Sequence, residues 1–320
     1  MKTSVVICTY NGSLYIEEQL CSILEQTVRV DEIIICDDRS TDNTVLLIKS
    51  FQNTNPHITL TVNNEQLGST RNFLKGIKRT SGNIIFLSDQ DDYWEPNKVE
   101  RMLDVFRQNP TIEVIATNGY FYDGKESSDD KVSVWNIPDL LNKEKVDFTY
   151  FEVITSLTNF ATGASMAFRN NIKNLLMYNG EHEELLHDEY IALLACQRNT
   201  FLFLEEKLFH YRIHPDQQVG SEFFKLNHKR INYIAKAFLR KNTFEEYKGA
   251  LKVISSKHNN TRKIINLTSI DKQTHELLQK SLNTSEEKFQ EIYMEMKKRF
   301  PVKTMVLNFI DFFTRKRKLL

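Results

Sequence analysis

The sequence contains few of the residues that mark cross-linked, fibrous or low-complexity proteins. Its 320 residues include 4 cysteines, 6 prolines and 10 glycines, and 41% are hydrophobic. This composition excludes collagen-like, disordered and low-complexity chains. The cysteines form no C-x-x-C pair and have no zinc-ligand spacing, which excludes a disulfide framework and a structural zinc site. We expect reduced cysteines within the core at Cys8, Cys21, Cys36 and Cys196.

Other missing motifs limit the function further. No stretch approaches the roughly 20 apolar residues of a membrane span, and MKTSVVICTYNG at the N-terminus has no signal-peptide cleavage site. These absences predict a cytoplasmic protein. No G-x-G-x-x-G follows the first strand-like run, which argues against a dinucleotide-binding fold, and the lack of G-x-x-x-x-G-K-S/T excludes a P-loop. Any phosphate group must therefore be held by other means.

Charge is balanced over the whole chain, with 42 basic and 42 acidic residues, but it is not balanced along it. Residues 1–221 contain 20 basic and 32 acidic side chains, whereas residues 222–320 contain 22 and 10. We predict an acidic domain over 1–221 and a basic, helical C-terminal region over 222–320. The acidic first part argues against nucleic acid as a partner.

Strand-like apolar runs alternate with helical patterns over the first 110 residues. The runs occupy 4–8, 32–36, 58–62 and 84–87, and helix starts are expected near Ser13, Ser40, Ser69 and Pro96. This order predicts an α/β fold with a Rossmann-like, mostly parallel central sheet and helices on both faces. Later strand-like runs at 112–123, 161–168, 201–204 and 208–213, with a helix over 184–196, predict antiparallel additions to the sheet.

Polar residues follow three of these runs, at the sheet edge where open α/β folds bind ligands. TYNG follows the first run, DDRSTD the second and SDQDD the fourth. The carboxylates of Asp89, Asp91 and Asp92 repel one another unless a cation or protons neutralise them. One interpretation is a Mg²⁺ or Mn²⁺ ion that also binds substrate phosphates. The other is a solvated acidic turn that caps the next helix, and Asp37-Asp38 has the same two interpretations.

Taken together, the motifs resemble family 2 glycosyltransferases, which have the GT-A fold. The resemblance rests on CTYNG, CDDRSTDNT, NNEQLGSTRNF and FLSDQDDYWEPNK, and continues through TGASMAFR, LLHDEYIALLA and FHYRIHPDQQVG. Within the family the motifs are similar to the bacterial rhamnosyltransferase-like branch that builds surface polysaccharides. The resemblance implies a catalytic domain over 1–221, with a nucleotide-sugar-binding part at 1–110 and an acceptor-binding part at 111–221.

The resemblance also implies roles for single residues. Asp89 and Asp91 match the D-x-D motif and, with His214, are expected at the metal, while Asp188 matches the general base of an inverting transfer. Nucleotide-sugar contacts are expected from Thr9, Tyr10, Asn11, Asp38, Gly68, Arg71, Asn72, Asp89 and Gln90. Acceptor contacts are expected from Trp94, Gly163, His187 and Glu189.

Several of these residues also fit ordinary structural roles. Asp188 would suit the N-terminus of a helix, where the macrodipole favours a carboxylate. Trp94 is either a platform for a sugar or part of the core, and Gly163 either allows a close backbone approach or occupies a turn. Glu189 stands where the branch more often has Trp or Tyr, so acceptor recognition could differ from the family pattern.

The sequence thus predicts an inverting glycosyltransferase that uses Mn²⁺ or Mg²⁺. It would transfer a sugar, with L-rhamnose from dTDP-rhamnose as the expected donor, to a growing cell-surface polysaccharide on a polyprenyl carrier. A UDP-hexose-dependent transferase, a nucleotidyltransferase and a non-catalytic membrane-associated scaffold are the alternatives. The basic amphipathic helices of 222–320 are expected either to contact the inner membrane leaflet or only to pack on the catalytic domain.

Overall fold

The computed structural model describes residues 1–122, 127–128, 134–176, 185–214, 228–266, 270–314, 317 and 319. The chain divides into two compact units. The first comprises Met1–Asp130 and Ala161–Ser221, and the second comprises Lys131–Phe160 and Glu222–Leu320. This division differs from a single boundary at residue 221, because residues 131–160 group with the C-terminal helices.

The first unit is built on one sheet. Its strands are β1 (Thr3–Thr9), β2 (Glu32–Asp37), β3 (Ile58–Val62), β4 (Ile84–Ser88), β5 (Tyr93–Trp94), β6 (Val114–Tyr122), β7 (Ser127–Ser128), β8 (Met166–Arg169) and β9 (Phe201–Arg212). Within the described residues their order is β3-β2-β1-β4-β8-β6-β9-β5, with β7 paired to β6. β3, β2, β1 and β4 are parallel, while β8 runs antiparallel to β4 and β6. The predicted α/β fold with antiparallel additions is confirmed.

The helices of the first unit connect these strands. They are α1 (Ile16–Leu24), α2 (Thr44–Thr54), α3 (Ser69–Arg79), α4 (Lys98–Gln108), α7 (Asn170–Lys173) and α8 (His187–Gln197). The central strand β1 is apolar on both faces because it is covered on both sides, and Val5, Val6 and Ile7 are fully buried. Cys36 and Cys196 are buried as expected. Cys21 on α1 is exposed, so the prediction of a core position is wrong for this residue.

The second half of the sheet differs in detail from the sequence pattern. Of the run 161–168, only its end is a strand, because Gly163–Ser165 forms a short 3-10 helix before β8. The two runs at 201–204 and 208–213 belong to one strand, β9, whose pairing with β6 shifts register near Thr117 and Asn118. An irregular register accommodates the polar residues between the two apolar runs. The predicted start of the helix at residue 184 lies outside the described residues.

The second unit consists of helices. They are α5 (Asn136–Lys143), α6 (Tyr150–Ser156), α9 (His228–Ala235), α10 (Phe244–Ile265), α11 (Lys272–Arg299) and α12 (Pro301–Thr314). Capping boxes begin α6 and α10, where Thr149 pairs with Glu152 and Thr243 pairs with Glu246. α10 and α11 pack against each other and against α6 through buried residues such as Ile254. Among the residues that the structure describes, no helix is both long and apolar enough to cross a bilayer.

Gly76 of α3 generates a stability prediction. A Cβ atom at this position would lie 2.5 Å from Val6 Cγ1 of β1, so α3 approaches the sheet too closely for alanine. Replacing Gly with Ala at an exposed helix position raises the stability of the fold by about 1 kcal/mol. Overpacking at Gly76 should instead lower that stability, by roughly 1–3 kcal/mol. We expect Gly76→Ala to lower the free energy of unfolding in urea, while Lys78→Ala, an exposed control on the same helix, changes it little. A more stable Gly76→Ala protein would contradict the close approach.

Candidate active site

The polar ends of β1 and β2 meet at one edge of the sheet, as the sequence predicted. Thr9 and Asp37 lie in register, and Thr9 Oγ1 donates a hydrogen bond of 2.7 Å to Asp37 Oδ2. Ser40 donates to the same carboxylate through its backbone N–H at 2.9 Å and its hydroxyl at 2.5 Å. Asp37 therefore braces the turn after β2, which is the turn interpretation of this residue.

The loops after β1 and β4 are joined by the side-chain amide of Gln90. Tyr10 N donates to Gln90 Oε1 at 2.9 Å, and Gln90 Nε2 donates to Tyr10 O at 3.1 Å. A Cβ atom at Gly12 would lie 2.2 Å from Gln90 Oε1, so this contact requires glycine. Asn11 has a positive φ of 50°, and its Oδ1 accepts from Thr41 N at 2.8 Å. These bonds fix the loop after β1 against β4 and the turn after β2.

Asp38 orders the loop that precedes α3. Its Oδ1 accepts from Leu67 N at 2.7 Å and from Asn63 Nδ2 at 2.8 Å, and its Oδ2 accepts from Gly68 N at 2.9 Å. Asn72 Oδ1 accepts from Asn63 Nδ2 at 2.9 Å, and Asn72 Nδ2 donates to a backbone carbonyl of β2. Gly68 has a positive φ of 77°, which glycine adopts without strain. This buried network gives the loop its shape.

The predicted nucleotide contacts thus fall into two groups. Asp38 and Asn72 are buried and hold backbone, whereas Tyr10 is 38% exposed and Arg71 is exposed at the start of α3. Arg71 Nε donates to Leu67 O at 2.8 Å, which anchors one edge of its guanidinium. Tyr10, Asn11 and Arg71 are the exposed members of the predicted group.

Three carboxylates follow β4, and burial raises the pKa of two of them. Burial, together with the charges of Asp91 and Asp188, raises the pKa of Asp89 to about 7. Burial and the charges of Asp89 and Asp91 raise the pKa of Asp92 well above its usual value. Lys98 opposes both shifts. Ionisation of one carboxyl group in the cluster therefore disfavours ionisation of the others, and Asp188 is near enough to contribute.

Lys98 lies beneath this cluster and is fully buried. Its Nζ donates to Ala164 O at 2.7 Å and lies 4.2 Å from the ring centre of Trp94. Burial lowers the pKa of Lys98 to about 7, although the charges of Asp92 and Asp89 oppose the shift. The indole of Trp94 is itself 0% exposed, so it occupies the core position and offers no surface to a sugar. We correct the expected acceptor contact of Trp94 on this ground.

The end of β9 is bonded to the same acidic loop. His214 Nε2 lies 2.8 Å from Asp91 Oδ2, and its ring packs 4.6 Å from that of Tyr15. Arg212 Nε donates to Asp91 O at 2.8 Å, and its guanidinium also forms an ion pair with Glu18 of α1. The structure therefore brings together Asp91 and His214, which the sequence predicted at one metal site.

Asp188 lies in the first turn of α8. It is far from the acidic cluster in sequence, but its charge is close enough to raise the pKa of Asp89. Its Oδ2 accepts from Gly163 N at 3.0 Å, and its Oδ1 accepts from Glu189 N at 2.6 Å. Burial raises the pKa of Asp188 to about 6, although these backbone hydrogen bonds lower it in part. A carboxylate with such a pKa is matched to taking up a proton near neutral pH.

His187 precedes Asp188 and is buried beside it. Its ring stacks on Phe73 of α3, with ring centres 4.2 Å apart, and its Nε2 lies 3.1 Å from where a Cβ of Gly163 would be. Burial lowers the pKa of His187 to about 3, so the imidazole is neutral. Within the described part of the chain, neither ring nitrogen has a hydrogen-bond partner. Glu189, the remaining predicted acceptor residue, is partly exposed.

Comparison with known proteins identifies the family. A sequence model described as glycosyl transferase family 2 matches residues 4–173, which is more than half of the chain. The chain belongs to this family. The family assignment that the motifs predicted is confirmed, and with it the assignment of the chain as an enzyme. This glycosyltransferase is 30% identical over 254 residues to a Shigella flexneri protein named dTDP-rhamnosyl transferase RfbG, covering 73% of the chain and 81% of the relative.

Solved structures support the same fold. The glycosyltransferase is similar to S. aureus TarS 1-349 in complex with UDP-GlcNAc, with a TM-score of 0.54, 16% identity and coverage of 93% and 92% of the two chains. It is also similar to the Pyrobaculum calidifontis mannosyltransferase PcManGT in complex with GDP-Man and Mn²⁺, with a TM-score of 0.51 and 14% identity. That match covers 99% of this chain and 82% of the other. At these identities the comparison establishes the GT-A fold.

The donor atoms of the glycosyltransferase suit a divalent cation that substrate phosphates help to hold. In the parts of the chain that are described, no three His, Cys, Asp or Glu side chains form a ready coordination shell. Magnesium-type sites commonly use one or two carboxylates and complete their shell with phosphates and water. Asp91 and His214 are already in contact, and repulsion between Asp89 and Asp91 is a cost that a cation would relieve. The residues of this site therefore fit a divalent cation.

Two residues of the site were not predicted from the sequence. Lys98 is the first residue of α4, where the helix dipole disfavours a positive charge. A lysine at this position therefore indicates that a carboxylate lies nearby. Arg212 occupies the last position of β9 and is almost fully buried, at the end of a strand where a charge needs a partner. Neither signal is strong without the acidic loop to which both residues connect.

Proposed function

We propose that this glycosyltransferase is an inverting, metal-dependent enzyme that transfers L-rhamnose from dTDP-rhamnose to a growing cell-surface polysaccharide on a polyprenyl carrier. The observation that carries the mechanism is the buried carboxylate of Asp188, whose charge affects Asp89 of the D-x-D motif. The relative named dTDP-rhamnosyl transferase supports the donor. The structural neighbours bound to UDP-GlcNAc and GDP-Man support a nucleotide sugar more generally.

In this proposal the nucleotide binds along the ends of β1, β2 and β4. Tyr10 offers its exposed ring to the base and Arg71 offers its guanidinium to ribose or phosphate, while Asp38 and Gly68 shape the adjoining loop. Thr9, Asn11, Asn72 and Gln90 support these contacts by fixing the backbone around them. Asp89, Asp91 and His214 would hold Mn²⁺ or Mg²⁺, which supplies positive charge to the leaving diphosphate when bound.

Asp188 performs the proton transfer. Its ionised carboxylate accepts the proton of the acceptor hydroxyl as that oxygen attacks the anomeric carbon from the side opposite the leaving group. The new C–O bond forms as the bond from the anomeric carbon to the diphosphate oxygen breaks, and the nucleoside diphosphate leaves with that electron pair. Gly163 N and Glu189 N hold the two carboxylate oxygens in place.

The acceptor lies next to this base in the proposal. His187 is neutral and buried beside Asp188, and within the described residues its ring nitrogens have no hydrogen-bond partner. Gly163 keeps the backbone close to both residues, and Glu189 at the next position can reach a second hydroxyl. A polyprenyl carrier places the reaction at the cytoplasmic face of the membrane, where residues 222–320 would make peripheral contact.

Replacing the base tests the mechanism directly. We expect Asp188→Asn to lower kcat by about 10²–10⁴-fold, the usual contribution of a general base, and to leave donor affinity within about twofold. The measurement is release of nucleoside diphosphate with acceptor, alongside calorimetric titration with dTDP-rhamnose. Asp104→Asn, on the outer surface of α4, is the matched control. Normal turnover by Asp188→Asn would remove Asp188 from the mechanism.

The raised pKa of Asp188 predicts a pH profile. Since the carboxylate must be ionised to accept a proton, kcat should fall about tenfold per pH unit below the pKa of Asp188, which is about 6. Above that pH the rate should level off. Rates are measured from pH 5 to 8 with donor and Mn²⁺ at saturation, so that the profile reports the bound complex. A rate independent of pH across this range would contradict the role of Asp188.

The metal part of the proposal is tested by donor-induced thermal shifts. A ligand that binds the folded state at 100 times its Kd adds about 2.7 kcal/mol of stability, so a donor that needs Mn²⁺ should stabilise strongly with the metal and weakly with chelator. We expect Asp91→Ala to lose the metal-dependent increment and Asp104→Asn to retain it. An equal shift in Asp91→Ala would contradict the proposed ligand.

The same measurement separates the donors. A panel of dTDP-rhamnose, UDP-glucose, UDP-galactose, UDP-GlcNAc and GDP-mannose is compared with Mn²⁺ and with Mg²⁺. The largest stabilisation is expected with dTDP-rhamnose. Stabilisation by a UDP-hexose instead would show that the proposed donor is wrong, while the chain would still be a glycosyltransferase. No shift with any of the donors, together with no release of nucleoside diphosphate, would favour a non-catalytic scaffold.

A further inference from the structure

Helix α12 (Pro301–Thr314) turns its apolar side to the solvent. Val302, Met305, Val306 and Ile310 are 70%, 69%, 52% and 45% exposed. Their spacing of three and four residues places them on one face of the helix. The same arc contains the exposed rings of Phe309 and Phe312. This helix therefore presents a continuous apolar arc, which we call the α12 arc and define as these six residues.

The side of α12 that packs into the second unit is the more polar one. Its buried residues are Thr304, Leu307 and Asp311. Asn308 Nδ2 of α12 donates to the Tyr293 hydroxyl oxygen of α11 at 2.7 Å. α12 also packs against α11. These contacts fix the orientation of the helix, so the outward position of the α12 arc is a consequence of specific bonds.

The α12 arc concentrates exposed apolar surface in one place. Of the thirteen large hydrophobic residues that are exposed in the described parts of the chain, six belong to it. The remaining seven are Met1, Tyr10, Leu14, Leu46, Val62, Tyr233 and Met294. Single exposed apolar residues need no explanation, but a contiguous patch usually marks an interaction surface.

Basic residues flank α12 in the sequence. Lys297 and Lys298 at the end of α11 are exposed, as is Lys303 on α12. The sequence continues after α12 with RKRK at 315–318, and residues 222–320 contain 22 basic against 10 acidic side chains. A second copy of the chain would bring like charges together, which opposes self-association through this face. A surface rich in anionic phospholipid complements both the apolar arc and the charges.

We propose that α12 lies on an anionic membrane surface, with the α12 arc at the boundary between headgroups and acyl chains and the lysines among the headgroups. The helix has 14 residues, which gives a length of about 21 Å, whereas the hydrocarbon core is about 30 Å thick. The helix therefore lies in the interface and does not cross it. This contact does not depend on the donor or on the chemistry at Asp188.

Vesicle sedimentation of the full chain tests the proposal. Vesicles of phosphatidylcholine alone are compared with vesicles in which about a third of the lipid is phosphatidylglycerol, at low and high salt. We expect binding to the anionic vesicles that weakens with salt, and little binding to the neutral ones. The triple variant Val302→Gln, Met305→Gln, Val306→Gln should bind the anionic vesicles at least about tenfold more weakly, because it removes apolar burial and keeps every charge.

A matched variant controls for the loss of exposed apolar residues in general. Leu46→Gln, Val62→Gln, Met294→Gln changes three exposed residues outside the α12 arc and should bind as the unchanged protein does. Thermal unfolding confirms that both variants fold, and binding is measured without donor or metal, so a failure of the proposed transferase activity would not affect it.

Three results would overturn the proposal. They are no binding to anionic vesicles, equal binding by the α12 variant and the unchanged protein, and a concentration-dependent dimer in light scattering that only the α12 variant loses. The last result would assign the surface to a second copy of the chain.

Discussion

The arrangement of the site depends on the burial of negative charge at the end of β4. Asp92 is almost fully buried, and an unpaired carboxylate in such a place costs several kcal/mol. Lys98 lies beneath the cluster, and its charge opposes the upward pKa shifts of Asp89 and Asp92. Arg212 donates to the backbone of the same loop from β9. The loop after β4 is thus held from the start of α4 and from the end of β9, both of which supply cations.

Lys98 also connects the acidic loop after β4 to Asp188, the proposed base. Lys98 Nζ bonds to Ala164 O, and the preceding residue, Gly163, donates its backbone N–H to Asp188. Lys98 and Asp188 are therefore hydrogen-bonded to neighbouring residues of the backbone. Because interiors are close-packed, a displacement of one is transmitted to the other. The spacing between the acidic loop and Asp188, the proposed base, is consequently set by buried contacts.

Sequence reasoning recovered the elements whose signal is local. β1, β2 and β4 contain continuous apolar runs, and the polar residues after them mark the sheet edge that carries the site. The pairing of Asp91 with His214 came from resemblance, since 123 residues separate them and no periodic pattern relates them. α6 was missed because it is short, although Thr149 and Glu152 form the T-x-x-E signature of a capping box. Trp94 was ambiguous because an aromatic residue after a strand looks the same in the core and at a rim, and only tertiary packing decides.

The path of the chain between the two compact units also governs the order in which they can form during synthesis. The chain leaves the first unit after β7, builds α5 and α6, and then returns to supply β8, α7, α8 and β9. Helix α6 packs against α10 and α11, which emerge from the ribosome about a hundred residues later. Until then Ile154, which is fully buried in the finished protein, has no helix to cover it. A fragment that stops at residue 221 would lack α10 and α11, the helices that cover α6 in the folded protein.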